Sequence, residues 1–187
     1  MLHVFRRHHL ASRLDLQGEV VLLEQQDRAT WDQEMIDIGF ELLEAAATGN
    51  ELSEYHLLAG ISACHAAATR FEETDWKCIL LHYEQLSHLN PGPVVALNRL
   101  VAFSFVHGPA AALAECESAP IRGIDSYYLL PATLGDLNRR LGRTQEAFIH
   151  YSKALELVRT VPEKKFLQRR LNELGPGTKE SAPPLPE

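Results

Sequence analysis

The sequence has no long hydrophobic run, because an Arg, His, Glu or Asp interrupts every apolar stretch before it reaches the roughly 18 residues of a membrane span. Cysteine is also scarce: Cys64, Cys78 and Cys116 are an odd number without close spacing. No secretory signal with a small-residue cleavage site opens the chain. We therefore expect a soluble, cytoplasmic protein with reduced thiols and no membrane contact.

The sequence also lacks an excess of positive charge. It carries 18 Lys and Arg against 25 Asp and Glu, a formal net charge of -7. Proteins that bind nucleic acid need a positive surface that displaces counterions from the phosphates. The charge balance therefore argues against a self-sufficient DNA-binding domain and predicts no direct DNA binding by this segment.

Sequence motifs of the common enzyme and metal classes are missing as well: GxGxxG, GxxxxGK[ST], HExxH, GxSxG and paired CxxC are all absent. The nine histidines include His82 and His88, whose spacing of six points them to different sides of a helix. Cys64 beside His65 is no catalytic dyad, since successive helix residues face about 100 degrees apart. We predict no enzyme, no cofactor and no metal, with the cysteines acting as small buried residues.

What the sequence does have is helical periodicity. Hydrophobic residues make up 45% of the chain and charged residues 23%, which suits a globular core. Apolar residues recur at helical spacing nearly everywhere, and strict alternation is almost absent. The predicted helices cover residues 2–11, 30–49, 53–68, 74–90, 93–107, 109–118, 127–141, 144–158 and 161–174.

Threonines mark several predicted helix starts. Thr30 with Gln33, and Thr160 with Glu163, have the spacing of a capping box, and Thr74 stands at a third start. Ser53 is predicted to begin the helix that lies between the starts at Thr30 and Thr74. The buried stripe of the helix after Thr30 is predicted to include Trp31, Met35, Ile38 and Leu42.

A repeat period runs through the second half of the chain. Gly108 and Gly142 each follow one predicted helix and precede another. Their separation matches the helix-turn-helix period of tetratricopeptide repeats, which is about 34 residues. Tyr83 and Tyr151 are separated by twice that distance. About three copies are expected, in which Gly135, Ala147 and Ala154 allow close helix packing and Tyr151 fills the seam.

The resulting fold prediction is all-α: a right-handed stack of antiparallel helix pairs, a tetratricopeptide-like α-solenoid, with an N-terminal linker helix. The predicted domains are a remnant of a helical linker at 1–23, the helical domain at 24–174 and a disordered tail at 175–187. The tail holds four prolines and two glycines.

Two groups of residues are candidates for partner binding. Asn98 and Arg139 fall on first helices of repeats, where side chains line the groove of a solenoid. The alternative for Asn98 is a local bond to a backbone carbonyl. In the run from Glu24 to Asp32, Asp27 is expected to accept amide hydrogen bonds and Arg28 to make a forked bond to Asp32 or a partner's acid. The alternative there is a helix cap with a solvated ion pair.

Several motifs in order resemble one bacterial family. They are GEVVLLEQQDRATWD at 18–32, TDW at 74–76, NPGPVVALNRLVA at 90–102, GPAAALA from Gly108, and FLQRRLNEL at 166–174. Together they look like the C-terminal tetratricopeptide-like extension of extracytoplasmic-function (ECF) RNA polymerase sigma factors. The resemblance implies a role in transcription initiation, with the extension modulating the sigma factor. It also implies that Asp27, Arg28, Trp31 and Asp32 hold sigma regions against the extension.

The chain departs from this family in two ways. Sigma regions 2 and 4 are absent, so the chain by itself is not expected to initiate transcription. Gln25 replaces the first acid of the family's Asp-x-Asp-Arg element.

The functional prediction is a regulatory module that contacts sigma regions 2 and 4, core RNA polymerase, or both. The predicted partner-binding residues are Asp27, Arg28, Trp31, Asp32, Asn98, Arg99 and Arg139. The first alternative is a general tetratricopeptide scaffold that binds peptides outside transcription. The second, a small-molecule sensor or enzyme built on Cys and His, is expected to fail metal and substrate screens. An exposed N-terminal helix would also offer a dimer surface.

Overall fold

The structure is a computed structural model that describes residues 20–49 and 51–175. Within these residues it contains eight α-helices, joined by turns and short 3-10 segments, and it confirms the all-α prediction. The helices are α1 (Gln33–Ala46), α2 (Glu54–Ala67), α3 (Trp76–Leu89), α4 (Pro93–His107), α5 (Pro109–Ser118), α6 (Leu129–Arg140), α7 (Thr144–Leu157) and α8 (Val161–Leu174). The predicted linker helix at 2–11, its proposed dimer surface and the tail beyond residue 175 lie outside the described residues.

Proline accounts for the helices whose bounds were predicted best. α4, α5 and α8 begin and end where the sequence places them, and each has a proline in its first two positions. Proline fits there because its fixed φ suits the helix and its missing N–H has no helical partner at that position. None of the described helices is both long enough and apolar enough to cross a bilayer.

Two of the predicted threonine caps are wrong, because an aspartate caps each helix instead. Asp32 accepts a hydrogen bond from the Met35 amide at 3.0 Å at the start of α1. Asp75 accepts one from the Cys78 amide at 2.9 Å at the start of α3. A charged carboxylate also interacts favourably with the positive end of the helix dipole. Thr30 lies in a 3-10 turn before α1, where its hydroxyl donates to the Asp27 carbonyl.

The other two predicted caps lie at the expected positions. At the start of α2 the Ser53 amide donates to His56 Nδ1 at 3.1 Å. Thr160 occupies the cap position of α8, but its side chain makes no capping hydrogen bond, so the predicted box with Glu163 does not form.

The buried face of α1 differs from the predicted stripe. Trp31 before the helix is buried, and Ile36 and Gly39 are the buried residues of α1 itself. Ile38 and Leu42 are 39% and 43% exposed, so the prediction is wrong for these two. The sequence could not distinguish the two faces, because α1 has apolar residues on both.

The described residues form two compact units, which are divided between Asp125 and Ser126. In the described part of the first unit, successive helices from α1 to α5 pack against one another. Its core includes Ile61, Ile79, Leu80 and Ala102, contributed by α2, α3 and α4. The predicted domain bounds at residues 24 and 174 stay predictions.

In the second unit α7 packs against both α6 and α8. A Cβ added at Gly135 would lie 2.9 Å from the Tyr151 ring, so the glycine makes room for that aromatic side chain. Ala147 and Ala154 are fully buried and pack with Leu167 of α8. The predicted packing roles of these small residues and of Tyr151 are confirmed.

The repeat period is visible in the backbone. The second helices of three hairpins begin at Trp76, Pro109 and Thr144, which follow one another at nearly equal intervals. Gly108 and Gly142, in the turns before two of them, have φ of +89° and +70°. Both turns thus use a conformation that L side chains rarely adopt.

The period also places a buried polar residue four positions before each of these glycines. Ser104 donates to the Val101 carbonyl at 2.7 Å, and Asn138 donates to the Leu134 carbonyl at 2.9 Å. Each buried side chain thus has a backbone acceptor within its own helix, three or four residues earlier.

Candidate functional site

Arg28 lies at the centre of the contacts that fasten the segment before α1 to the following helices. Its side chain is buried, and Nη1 donates to the carbonyls of His65 and Ala68 at 2.9 and 3.0 Å. Nη2 donates to the Thr74 hydroxyl at 2.9 Å. One guanidinium therefore joins three points that lie 37 to 46 residues away in sequence.

The position of Arg28 has an electrostatic reason. His65 and Ala68 lie at the C-terminal end of α2, where helix carbonyls lack partners and the helix dipole is negative. Burial lowers the pKa of Arg28 below its ordinary value, and the charges of Glu72 and Glu73 oppose that shift. The predicted forked bond to a carboxylate is wrong, since the fork binds carbonyl and hydroxyl oxygens.

Aromatic rings continue the contacts of Arg28 toward α4. Its guanidinium carbon lies 5.1 Å from the centre of the Trp31 ring and 5.9 Å from that of Phe71. Phe71 contacts Trp76 edge to face, with centres 5.6 Å apart, and Trp76 stacks on Phe105 of α4 at 3.9 Å. This row of rings, Trp31, Phe71, Trp76 and Phe105, is called the aromatic row below.

The two predicted acids of the same segment lie at the surface. Asp27 accepts a hydrogen bond from the Ala29 amide at 3.0 Å, as predicted, although it caps a 3-10 turn and not α1. Asp32 caps α1. Both are exposed, so each capping carboxylate is also accessible from solution.

Asn98 and Arg99 are neighbours on α4, but their side chains have different surroundings. Asn98 is exposed and makes no hydrogen bond with any of the residues that the structure describes, so it does not cap a described backbone carbonyl. Arg99 forms an ion pair with Glu115 of α5, and its guanidinium lies 5.8 Å from the centre of the Phe103 ring. Arg99 therefore joins the two helices of its own hairpin.

Arg139, in the second unit, is also engaged internally. It forms an ion pair with Asp136 one turn earlier at 2.7 Å, and it hydrogen-bonds the Tyr151 hydroxyl. Burial, followed by the charge of Asp136, raises the pKa of Tyr151 to about 12. Partner binding by Arg99 and Arg139 stays a prediction.

A cleft of about 410 Å³ opens in the first unit beside the C-terminal half of α2. It is lined by Phe40, Ala63, Cys64, Ala67, Ala68, Thr69, Glu73 and Asp75. The lining combines apolar side chains with two carboxylates, a hydroxyl and the thiol of Cys64. The cleft therefore has room for a small polar ligand.

Two thiols and an imidazole meet next to this cleft. The sulfurs of Cys64 and Cys78 lie 3.1 Å apart. The donor atoms of these two residues and of His82 are all within 4.8 Å of one another. Burial, together with the neighbouring Cys78, raises the pKa of Cys64 to about 12, and burial lowers the pKa of His82. The Cys64 thiol and the His82 imidazole are therefore both uncharged at neutral pH when no ligand is bound.

This group of three was not predicted from the sequence, where histidines were compared only with other histidines and Cys64 only with its neighbour His65. The available signal was the spacing of four between Cys78 and His82, which places both on one face of a helix. The contribution of Cys64, on the preceding helix, depends on how α2 packs on α3.

Comparisons with known proteins give two similarities. Residues 2–47 match the model of a family of unknown function (DUF6596). An uncharacterized protein of Rhizobium meliloti (strain 1021) is 39% identical over 163 residues, which cover 87% of this chain and 38% of that protein. The chain thus spans well under half the length of this relative. No solved structure matches the chain.

Proposed function

We propose that the chain is a regulatory, protein-interaction module of an ECF-type RNA polymerase sigma factor in the cytoplasm. It would modulate transcription initiation by contacting sigma regions 2 and 4 or core polymerase. The motifs between residues 18 and 174 support this, and the family match at 2–47 is compatible with such an extension. The relative in Rhizobium meliloti has more than half its length outside the aligned segment, which leaves room for further regions.

The observation that carries the proposal is the exposed face of α4. Val94 is 45% exposed, and Asn98 is exposed one turn later on the same face. The face continues through the half-buried Val101 and Phe105. An amide beside apolar side chains can pair with the backbone of a bound segment while the apolar residues bury its side chains.

Arg28 and the aromatic row give this face a rigid support. They connect the segment from Asp27 to Asp32 with α4, since Phe105 is the last ring of the row. A partner that contacts both the exposed acids and α4 would thus touch two parts of one packed unit. Regulation requires that the module bind two states of a sigma factor with different affinity.

Binding variants test the proposal. Immobilised chain is offered core polymerase, and separately sigma regions 2 and 4, and the dissociation constants are measured. Asn98→Ala removes the amide of the α4 face, and Gln85→Ala is the matched control, because Gln85 is an exposed amide on α3. Asp27→Asn removes a charge and keeps the cap, because asparagine caps as well as aspartate.

We expect Asn98→Ala and Asp27→Asn each to weaken binding about tenfold, which corresponds to about 1.4 kcal/mol. Gln85→Ala should bind like the wild type. Equal binding by all four proteins would contradict the assigned surface. If neither sigma regions nor polymerase bind while peptides from a random library do, in an Asn98-dependent way, the chain is a general peptide-binding scaffold.

A further inference from the structure

We propose that Cys64, Cys78 and His82 form a binding site for a thiophilic divalent cation such as Zn²⁺. Two sulfurs and one imidazole nitrogen are a donor set that favours zinc over the hard cations, which prefer oxygen. The three donor atoms already lie within 4.8 Å of one another. The site is separate from the α4 face that carries the proposed function.

The three ligands come from two packed helices. Cys78 and His82 are one turn apart on α3, and Cys64 lies on α2, where it packs into the core shared with Ile79. Binding of a metal would therefore cross-link α2 to α3. Such a site is largely formed by the fold, and little ordering of the chain is needed to complete it.

The imidazole of His82 has a prepared place and an unsatisfied atom. A Cβ added at Gly60 would lie 2.8 Å from Nε2, so the ring fits there because residue 60 has no side chain. Nδ1 is buried and makes no hydrogen bond with any described residue. Leaving a buried polar atom unpaired is unfavourable, and a ligand at the site offers a way to reduce that cost.

The sulfur distance suits a metal better than a bond between the two cysteines. A tetrahedral zinc with Zn–S of about 2.3 Å holds its sulfurs roughly 3.8 Å apart, whereas a disulfide requires about 2.05 Å. From 3.1 Å, the thiols need to separate by only several tenths of an ångström. Side-chain rotation of two half-buried cysteines can supply that movement.

The cleft supplies the fourth position. Cys64 and Asp75 both line it, so a cation held by the three ligands can be reached from solution. A water molecule or the Asp75 carboxylate completes the tetrahedron, as in zinc sites with three protein ligands. Binding of the cation displaces the protons of the two thiols to solvent, and the resulting thiolates balance its charge.

Cobalt binding to the full chain tests the site. The reduced protein is titrated with Co²⁺ in the presence of a phosphine, and the absorbance of the thiolate-to-cobalt charge-transfer band is followed. We expect one equivalent per chain to bind and Zn²⁺ to displace it. Histidines elsewhere in the chain, such as His8 and His9, would bind cobalt without this band.

Variants locate the ligands. Cys78→Ser and His82→Gln are expected to weaken Co²⁺ binding at least tenfold, since losing even an outer-shell partner of a metal ligand costs about 10- to 100-fold. Gly60→Ala displaces the imidazole and should weaken binding as well. Cys116→Ser is the matched control, since Cys116 is another half-buried thiol, on α5. Circular dichroism verifies that each variant is folded.

Three results would overturn the proposal. The first is a wild-type protein with no thiolate band. The second is a band that persists at full affinity in both Cys78→Ser and His82→Gln. The third is a reduced protein that binds no cobalt while mild oxidation joins Cys64 to Cys78, which would make the pair a redox element.

Discussion

At the scale of single residues, Arg28 shows how one side chain can determine a local structure. Its buried guanidinium satisfies two carbonyls at the end of α2 and the hydroxyl of Thr74. The planar fork of arginine suits three acceptors in different directions, which a lysine ammonium on a flexible stem does not match. The sequence predicts Arg28 to be a partner-binding residue, whereas its hydrogen bonds in the structure are all made within the chain.

We predict that Arg28→Ala destabilises the protein by about 2–4 kcal/mol, because it leaves buried carbonyls unpaired and removes charged hydrogen bonds. Arg28→Lys should recover part of that loss. The measurement is urea unfolding followed by circular dichroism. Arg122→Ala is the control: Arg122 is exposed, and its replacement should change stability by less than about 0.5 kcal/mol.

An equal effect of Arg28→Ala and Arg122→Ala would contradict the anchoring role. The stability of this pair of variants also decides which substitutions are suitable for the binding experiment. A loss of partner affinity in Arg28→Ala is ambiguous when the fold is weakened, whereas Asp27→Asn leaves both the cap and the fork in place.

At the scale of elements, the helix hairpins are defined by their turns. Gly108 has φ of +89° and ψ of 160°, a region that is essentially restricted to glycine. Gly142, one repeat period later, has φ of +70°. Because both glycines lie in the turn before the second helix of a pair, a side chain at either position would strain the connection between the two helices.

We predict that Gly108→Ala costs about 1–3 kcal/mol of stability and that Gly142→Ala costs about 1–2 kcal/mol. Thermal unfolding measures both. Gly92→Ala is the control, since a Cβ there meets nothing within 4 Å and the φ of -156° is open to any residue. A variant at Gly108 that unfolds at the wild-type temperature would contradict the assigned strain.

The helix bounds that depend on proline and glycine could be predicted from the sequence. The capping residues and the buried faces of the helices were harder to predict. Thr30 and Thr74 satisfied the cap pattern, but the following aspartates capped both helices. A carboxylate and a hydroxyl of nearby residues compete for the same amides, and the Thr74 hydroxyl accepts a hydrogen bond from Arg28 instead of from an amide of α3.

At the scale of the whole molecule, the net charge of -7 governs long-range interactions. We predict no mobility shift of duplex DNA by the chain at physiological salt, since few phosphates can be neutralised. Binding to a basic protein partner should associate faster at low salt and slow as the salt concentration rises. Electrophoretic shift assays and stopped-flow association at several salt concentrations measure the two effects. Tight, salt-sensitive DNA binding would contradict this prediction.

The sequence by itself determined the all-α class, most helix bounds, the repeat period and the packing roles of Gly135 and Tyr151. These follow from local chemistry: apolar spacing, proline and glycine restrictions, and the size of side chains at repeated positions. Only the tertiary structure decided that Arg28 binds the end of α2 and that Cys64 meets Cys78 and His82. Both arrangements join residues far apart in sequence, whose distance depends on how the helices pack.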